Sequence, residues 1–172
     1  MSVKKNIVLV GFMGTGKTSV GKALAKKLGR PVIDIDRIIE EKEKRKISDI
    51  FEKDGEPRFR EIEKEAIRAQ AATEGAVITT GGGAVIDPEN IKALRKNGTL
   101  VALLASPESI FERVRNAKHR PLLNGKDMLT EIKRLLAIRE PYYRQSDLQF
   151  ETDGRTSDEV ADMILQALKE KV

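Results

Sequence analysis

The sequence contains no cysteine, only one histidine, and no apolar run longer than the six residues Leu100 to Ala105. Without cysteine there are no disulfides and no thiolate metal sites, which suits a reducing compartment and makes the cytoplasm the expected location. A membrane helix needs roughly 20 apolar residues, so no membrane partner is expected. Two lysines precede an apolar run at the amino end, but glycines interrupt it and no small-residue cleavage site follows, which argues against an export signal. Low-complexity or linker-like stretches are also missing. The guanine-reading pattern N-K-x-D is absent, and the nearest string, Asn124 to Asp127, does not match it.

The 172 residues, 40% hydrophobic and 34% charged, have a globular balance. They are expected to form a single domain over 1–172, since domains average about 100 to 200 residues. Lysine and arginine outnumber acids 32 to 27. Six basic side chains lie between Arg113 and Lys126 with no acid among them. No aromatics interleave with these basic residues, so nucleic acid is not the expected partner. The expected state is a monomer.

Short β-branched or apolar runs recur at NIVLV, PVIDI, AVITT, TLVALLA and LQFET, with helical spacing between them. Val20, Leu24 and Leu28 repeat every four residues and Gly29 follows as a stop. Pro57 is read as opening a helix, Ser157 as capping the last one, and PENIKALRKNG as a helix bounded by its proline and its glycine. This alternation predicts an α/β fold with a parallel sheet between two helix layers, its ligands at the carboxyl ends of the strands.

Gly11, four residues, then Gly16, Lys17 and Thr18 match G-x-x-x-x-G-K-[ST], between a predicted strand and a predicted helix. Glycines let main-chain N–H groups surround phosphate oxygens, the helix N-terminus adds positive potential, and the lysine reaches the β and γ phosphates. Gly14, Thr15, Gly16, Lys17, Thr18 and Ser19 are the expected ATP-binding residues, with the Thr18 hydroxyl on Mg²⁺. The motif leaves open whether the protein is a kinase, a switch or an ATP-driven machine.

Asp34 and Asp36 end the second predicted strand, and a spacing of two would put both side chains on one face. Asp36 could orient an attacking hydroxyl or merely cap the following helix. Arg60 and Glu63 stand three apart on a helix, where a local ion pair is the plain explanation. The TGGGAV stretch after the third strand is either a tight turn or a place of close backbone approach. Arg120 lies in the basic loop, and Arg139 precedes a proline that must kink or end its helix.

Taken in order, GFMGTGKT, DID, FREIE, TGGGAV, RPLL and REPYY resemble the shikimate kinase family, and the likeness runs over nearly the whole chain. The resemblance implies a three-layer αβα P-loop NTPase fold with a five-stranded parallel sheet and a lid loop at about 113–126. It implies phosphorylation of the shikimate 3-hydroxyl by ATP. Arg60 and Arg139 would hold the shikimate carboxylate, Asp36 the ring hydroxyls, and Gly82 and Gly83 would add backbone contacts. Glu63 would keep Arg60 in place, and Asp34 would help order Mg²⁺ through water. The lid would bring Arg120 onto the transferring phosphate. Arg113 and Arg155 would flank the adenine, with Arg115 competing for the first of these roles. Lys17, Asp36 and Arg120 are therefore the expected catalytic residues, and His119 is read as an exposed loop residue. Another small P-loop kinase, acting on gluconate or a nucleoside monophosphate, is the alternative.

Overall fold

All five apolar runs become strands of one parallel sheet in the computed structural model, which describes residues 4–116 and 127–171. The strands are β1 (Asn6–Gly11), β2 (Val32–Asp34), β3 (Val77–Thr79), β4 (Gly98–Leu104) and β5 (Leu148–Glu151). They lie in the order β2-β3-β1-β4-β5. Central β1 pairs with β3 and β4 in register, Leu9 standing opposite both Thr79 and Val101. Every residue of β1 is buried, as a strand covered on both faces requires.

Alternate side chains of β1 and β4 build two separate cores. Ile7, Leu9, Val101 and Leu103 pack with Val20 and Leu24 of α1 (Lys17–Leu28) and with Val160 and Ile164 of α8 (Ser157–Glu170). Val8, Val10, Leu100, Ala102 and Leu104 face the opposite layer. That layer is formed by α2 (Ile35–Glu43), α3 (Ile47–Asp54), α4 (Glu56–Ala71), α5 (Pro88–Lys96), α6 (Pro107–Val114) and α7 (Met128–Tyr143). Among the described residues no helix is long and apolar enough to cross a membrane.

Several boundaries correct the sequence reading. Gly29 does stop α1, at φ 62°, and donates its N–H to the Ala25 carbonyl. The last helix is capped by Thr156 rather than Ser157: the Thr156 hydroxyl accepts from Glu159 N at 3.1 Å, and Thr156 N donates to the Glu159 carboxylate at 3.0 Å. Gly98 opens β4 instead of closing α5, which ends at Lys96. Pro141 does not end α7 but lies inside its last turn, two residues before Tyr143. A proline there removes only the bond to the Ala137 carbonyl, and Arg144 N still reaches the Glu140 carbonyl at 3.0 Å. Arg113 and Val114 complete α6, so the proposed lid range begins in helix. Lys118, His119, Arg120 and the rest of 117–126 lie outside the described residues.

Candidate active site

Between β1 and α1 the chain closes into a loop of backbone. Gly14 (φ 76°) and Gly16 (φ 94°) adopt left-handed conformations that a side chain disfavours. Thr15 is buried; its hydroxyl donates to the Phe12 carbonyl at 2.8 Å and its N–H to the same carbonyl at 3.3 Å, so the residue braces the loop. Lys17 Nζ donates to the carbonyls of Gly11 (2.6 Å) and Phe12 (2.9 Å). Thr18 and Ser19 are exposed on the first turn of α1. That turn holds no acidic residue and its cap makes no side-chain hydrogen bond, whereas α2, α5, α6, α7 and α8 all have both an acid and a side-chain cap. The positive end of the α1 dipole is thus left for an anion.

Asp34 and Asp36 do not share a strand. Asp34 ends β2 and caps α2, accepting from Arg37 N at 3.3 Å, while Asp36 already sits in the first turn of α2. The capping role considered for Asp36 is therefore filled by Asp34. Asp36 is freed to point inward, and its Oδ1 is buried with no hydrogen-bond partner. Burial, reinforced by the nearby charges of Glu63 and Asp34, pushes its carboxyl up to about 6, against the opposing pull of Lys17.

From α4, Arg60 donates to Glu63 Oε1 at 2.9 Å and to Glu56 Oε1 at 3.2 Å. Glu63 is 1% exposed, and its second oxygen, Oε2, is also buried without a partner. Burial raises the Glu63 carboxyl, while Arg60 and Arg139 pull it back. Arg139, on α7, is 4% exposed and lies over the Phe12 ring, 5.7 Å from its centroid.

The three glycines after β3 explain how these groups fit together. A Cβ on Gly81 would stand 3.0 Å from Glu63 Oε2 and 3.2 Å from Asp36 Oδ1, and one on Gly82 would stand 3.2 Å from Arg139 Nη1. A Cβ on Gly83 would collide with the Arg60 guanidinium. Each missing side chain thus makes room for a charged group, a role beyond the backbone contacts expected of Gly82 and Gly83. A cavity of about 380 Å³ opens beside Arg60, Glu63 and Gly83.

At the other end of the phosphate loop, Arg113 donates to the Gly14 carbonyl at 2.9 Å and to Thr152 Oγ1 at 3.2 Å. It therefore ties the loop to the segment between β5 and α8 that carries exposed Arg155. Arg115 pairs instead with Glu112 at 3.4 Å. Thus Gly14, Lys17, Thr18, Asp36, Arg60, Gly82, Gly83, Arg113 and Arg139 gather at the carboxyl edge of the sheet. Glu56, Gly81, Phe12 and Tyr143 join them without having been singled out. Gly81 belongs to the glycine run already noted after the third strand, and Glu56, one helical turn before Arg60, gives a signal by its spacing; Phe12 and Tyr143 do not.

A family model described as Shikimate kinase matches residues 13–169. The chain belongs to the shikimate kinase family. A shikimate kinase of Thermodesulfovibrio yellowstonii is 49% identical over 162 residues, covering 94% of each chain. The solved structure of shikimate kinase from Acinetobacter baumannii in complex with shikimate superposes with a TM-score of 0.95 at 37% identity, covering 98% of this chain and 94% of that one. A gluconokinase from Sinorhizobium meliloti reaches a TM-score of 0.64 at 19% identity, over 99% of this chain and 94% of its own, and shares the fold alone. Shikimate kinases are therefore similar in sequence along nearly the whole chain, whereas the gluconokinase shares only the common architecture.

Proposed function

We infer that the protein transfers the γ-phosphoryl group of ATP to the 3-hydroxyl of shikimate, giving shikimate 3-phosphate and ADP on the route to chorismate and the aromatic amino acids. The observation that carries this reading is the convergence of Asp36, Arg60, Glu63 and Arg139 on a bare glycine turn beside the phosphate loop. Two guanidinium groups suit a carboxylate, which they engage through paired hydrogen bonds. The unpartnered Asp36 Oδ1 and Glu63 Oε2 suit a molecule that brings hydroxyl donors. A ring acid with several hydroxyls supplies both.

In this reading the amides of Gly14, Thr15, Gly16, Lys17, Thr18 and Ser19 receive the phosphates, and Lys17 exchanges its carbonyl partners for β and γ oxygens. Arg113 holds the loop in shape, and Arg155 lies along the path of the adenine. Arg120 completes the charge around the transferring group. Phosphoryl transfer through a loose transition state asks mainly for alignment and charge stabilisation, so Asp36 serves by orienting the acceptor hydroxyl and taking its proton.

Mg²⁺ in kinase sites keeps several waters and takes phosphate oxygens, so the protein need supply only a hydroxyl and a carboxylate. The exposed Thr18 hydroxyl and the Asp34 carboxylate at the end of β2 are hard oxygen donors that fit. The ion would neutralise charge on the β and γ phosphates when bound. The reading also takes the protein as a cytoplasmic monomer acting on small molecules.

Incubating the protein with Mg-ATP and a panel of shikimate, gluconate and nucleoside monophosphates, then identifying the phosphorylated product, tests the reading. Shikimate 3-phosphate is expected. Turnover of another acceptor with shikimate untouched would replace it.

A further inference from the structure

Phe12 and Tyr143 have no part in the chemistry above, yet both are fully buried at its centre. Phe12 follows the first glycine of the phosphate loop, and Arg139 lies over its ring. The Phe12 backbone is fixed in turn, because Thr15 and Lys17 both donate to its carbonyl. On the other side Gly82 fits between the same partners: its absent Cβ would meet Arg139 Nη1 at 3.2 Å, Met13 N at 3.5 Å and the Gly11 carbonyl at 3.6 Å. The Tyr143 hydroxyl closes the circuit by donating to the Gly82 carbonyl at 2.5 Å. Burial pushes that phenol up to about 12, against the pull of Arg139, so it remains a donor at working pH. The phosphate loop, the glycine turn and the last turn of α7 are thus joined around one guanidinium.

We propose that Phe12 and Tyr143 are positioning residues for Arg139, so that the loop built for ATP also aims the arginine that grips the acceptor's carboxylate. This rests on the reading that Arg139 holds that carboxylate. It predicts an effect in an unexpected place: a substitution inside the phosphate loop that weakens the other substrate. A residue that merely filled the core would lower the melting temperature and the fraction of active enzyme, without selecting one substrate.

Steady-state kinetics with both substrates varied, on Phe12→Leu, Tyr143→Phe and the control Arg139→Lys, tests the proposal. Leucine keeps the apolar filling but offers no aromatic face, and Tyr143→Phe removes a single oxygen. Both variants are expected to raise the KM for shikimate by about 2- to 30-fold, the range of a partly desolvated cation–π contact or one lost hydrogen bond. The KM for ATP and kcat should stay within about twofold. If Phe12→Leu does not fold, Tyr143→Phe carries the test alone. An unchanged shikimate KM in both, or an equal rise for ATP, overturns the proposal provided Arg139→Lys itself raises the shikimate KM. If Arg139→Lys leaves that KM unaltered, the carboxylate assignment falls, and this proposal with it.

Discussion

In the phosphate loop Lys17 and Thr15 spend their donors on the loop's own carbonyls, whereas across the cleft Asp36 Oδ1 and Glu63 Oε2 are buried with no donor at all. The first half is braced by its own backbone; the second, in the proposed reading, would be completed by the hydroxyls of the acceptor. In that reading the loop would bind through backbone and a helix dipole, which gives specificity for phosphate in general. The acid cluster would bind through side chains whose geometry three glycines permit, which gives specificity for one acceptor. Damage to the phosphate side should therefore appear in turnover, and damage to the acid side in acceptor affinity.

The largest effect should come from Arg120→Ala. If this arginine meets charge that develops only during transfer, kcat falls by about 10³- to 10⁵-fold while both KM values change little. A large KM change with kcat preserved would place Arg120 on the ground state and blur the contrast. Next comes Asp36→Asn, at about 10²- to 10⁴-fold in kcat, the range of a positioned general base. In the unsubstituted enzyme kcat/KM for shikimate should drop as pH falls through about 6, where the Asp36 carboxyl takes up a proton. The asparagine variant should lack that inflection, and a profile unchanged by the substitution would remove Asp36 from the chemistry. Arg60→Lys or Arg139→Lys should raise the shikimate KM by about 10- to 150-fold, the equivalent of one lost charge-assisted hydrogen bond. ATP affinity measured by calorimetry should survive, and its equal loss would refute the division of labour.

The same contrast explains what could be read from the chain alone. The phosphate loop is a contiguous string whose glycines and lysine have fixed spacing, and the five strands were legible as short β-branched or apolar runs, even though β2 and β5 carry polar residues and are partly exposed. Reading α2 and α3 as separate helices was harder, since the break falls at Lys44, a non-glycine residue at φ 54° with no proline or glycine beside it. The strand reading of Asp34 and Asp36 failed because helix begins at Ile35, a boundary that the capping bond of Asp34 decides and β-branched neighbours conceal. The cluster of Asp36, Arg60, Glu63 and Arg139 is assembled from α2, α4 and α7 around the turn after β3, so its parts stand out singly in the sequence but are joined into one site only by family likeness. Phe12 and Tyr143 gave no signal, because an aromatic residue supporting an arginine looks in sequence like any other core residue.

The smallest effect, and the one that tests whether the acid half carries a standing cost, is on stability. Asp36 has its folded-state carboxyl raised from the ordinary 3.8 to about 6, so the folded protein holds that proton more tightly than the unfolded chain does. For this group stability is greatest below about 3.8, where both states are protonated; it declines as pH rises towards 6 and then stays at its lower level. At roughly 1.4 kcal/mol per unit, ionised Asp36 costs the ligand-free fold about 2 to 3 kcal/mol at neutral pH. Asparagine keeps the shape and never ionises. Ligand-free Asp36→Asn should therefore melt several degrees above the parent at pH 7, with the gain shrinking to nothing near pH 4. A variant that melted lower at pH 7 would mean that the buried oxygen is satisfied in the free protein, and the distinction between a braced half and a waiting half would be lost.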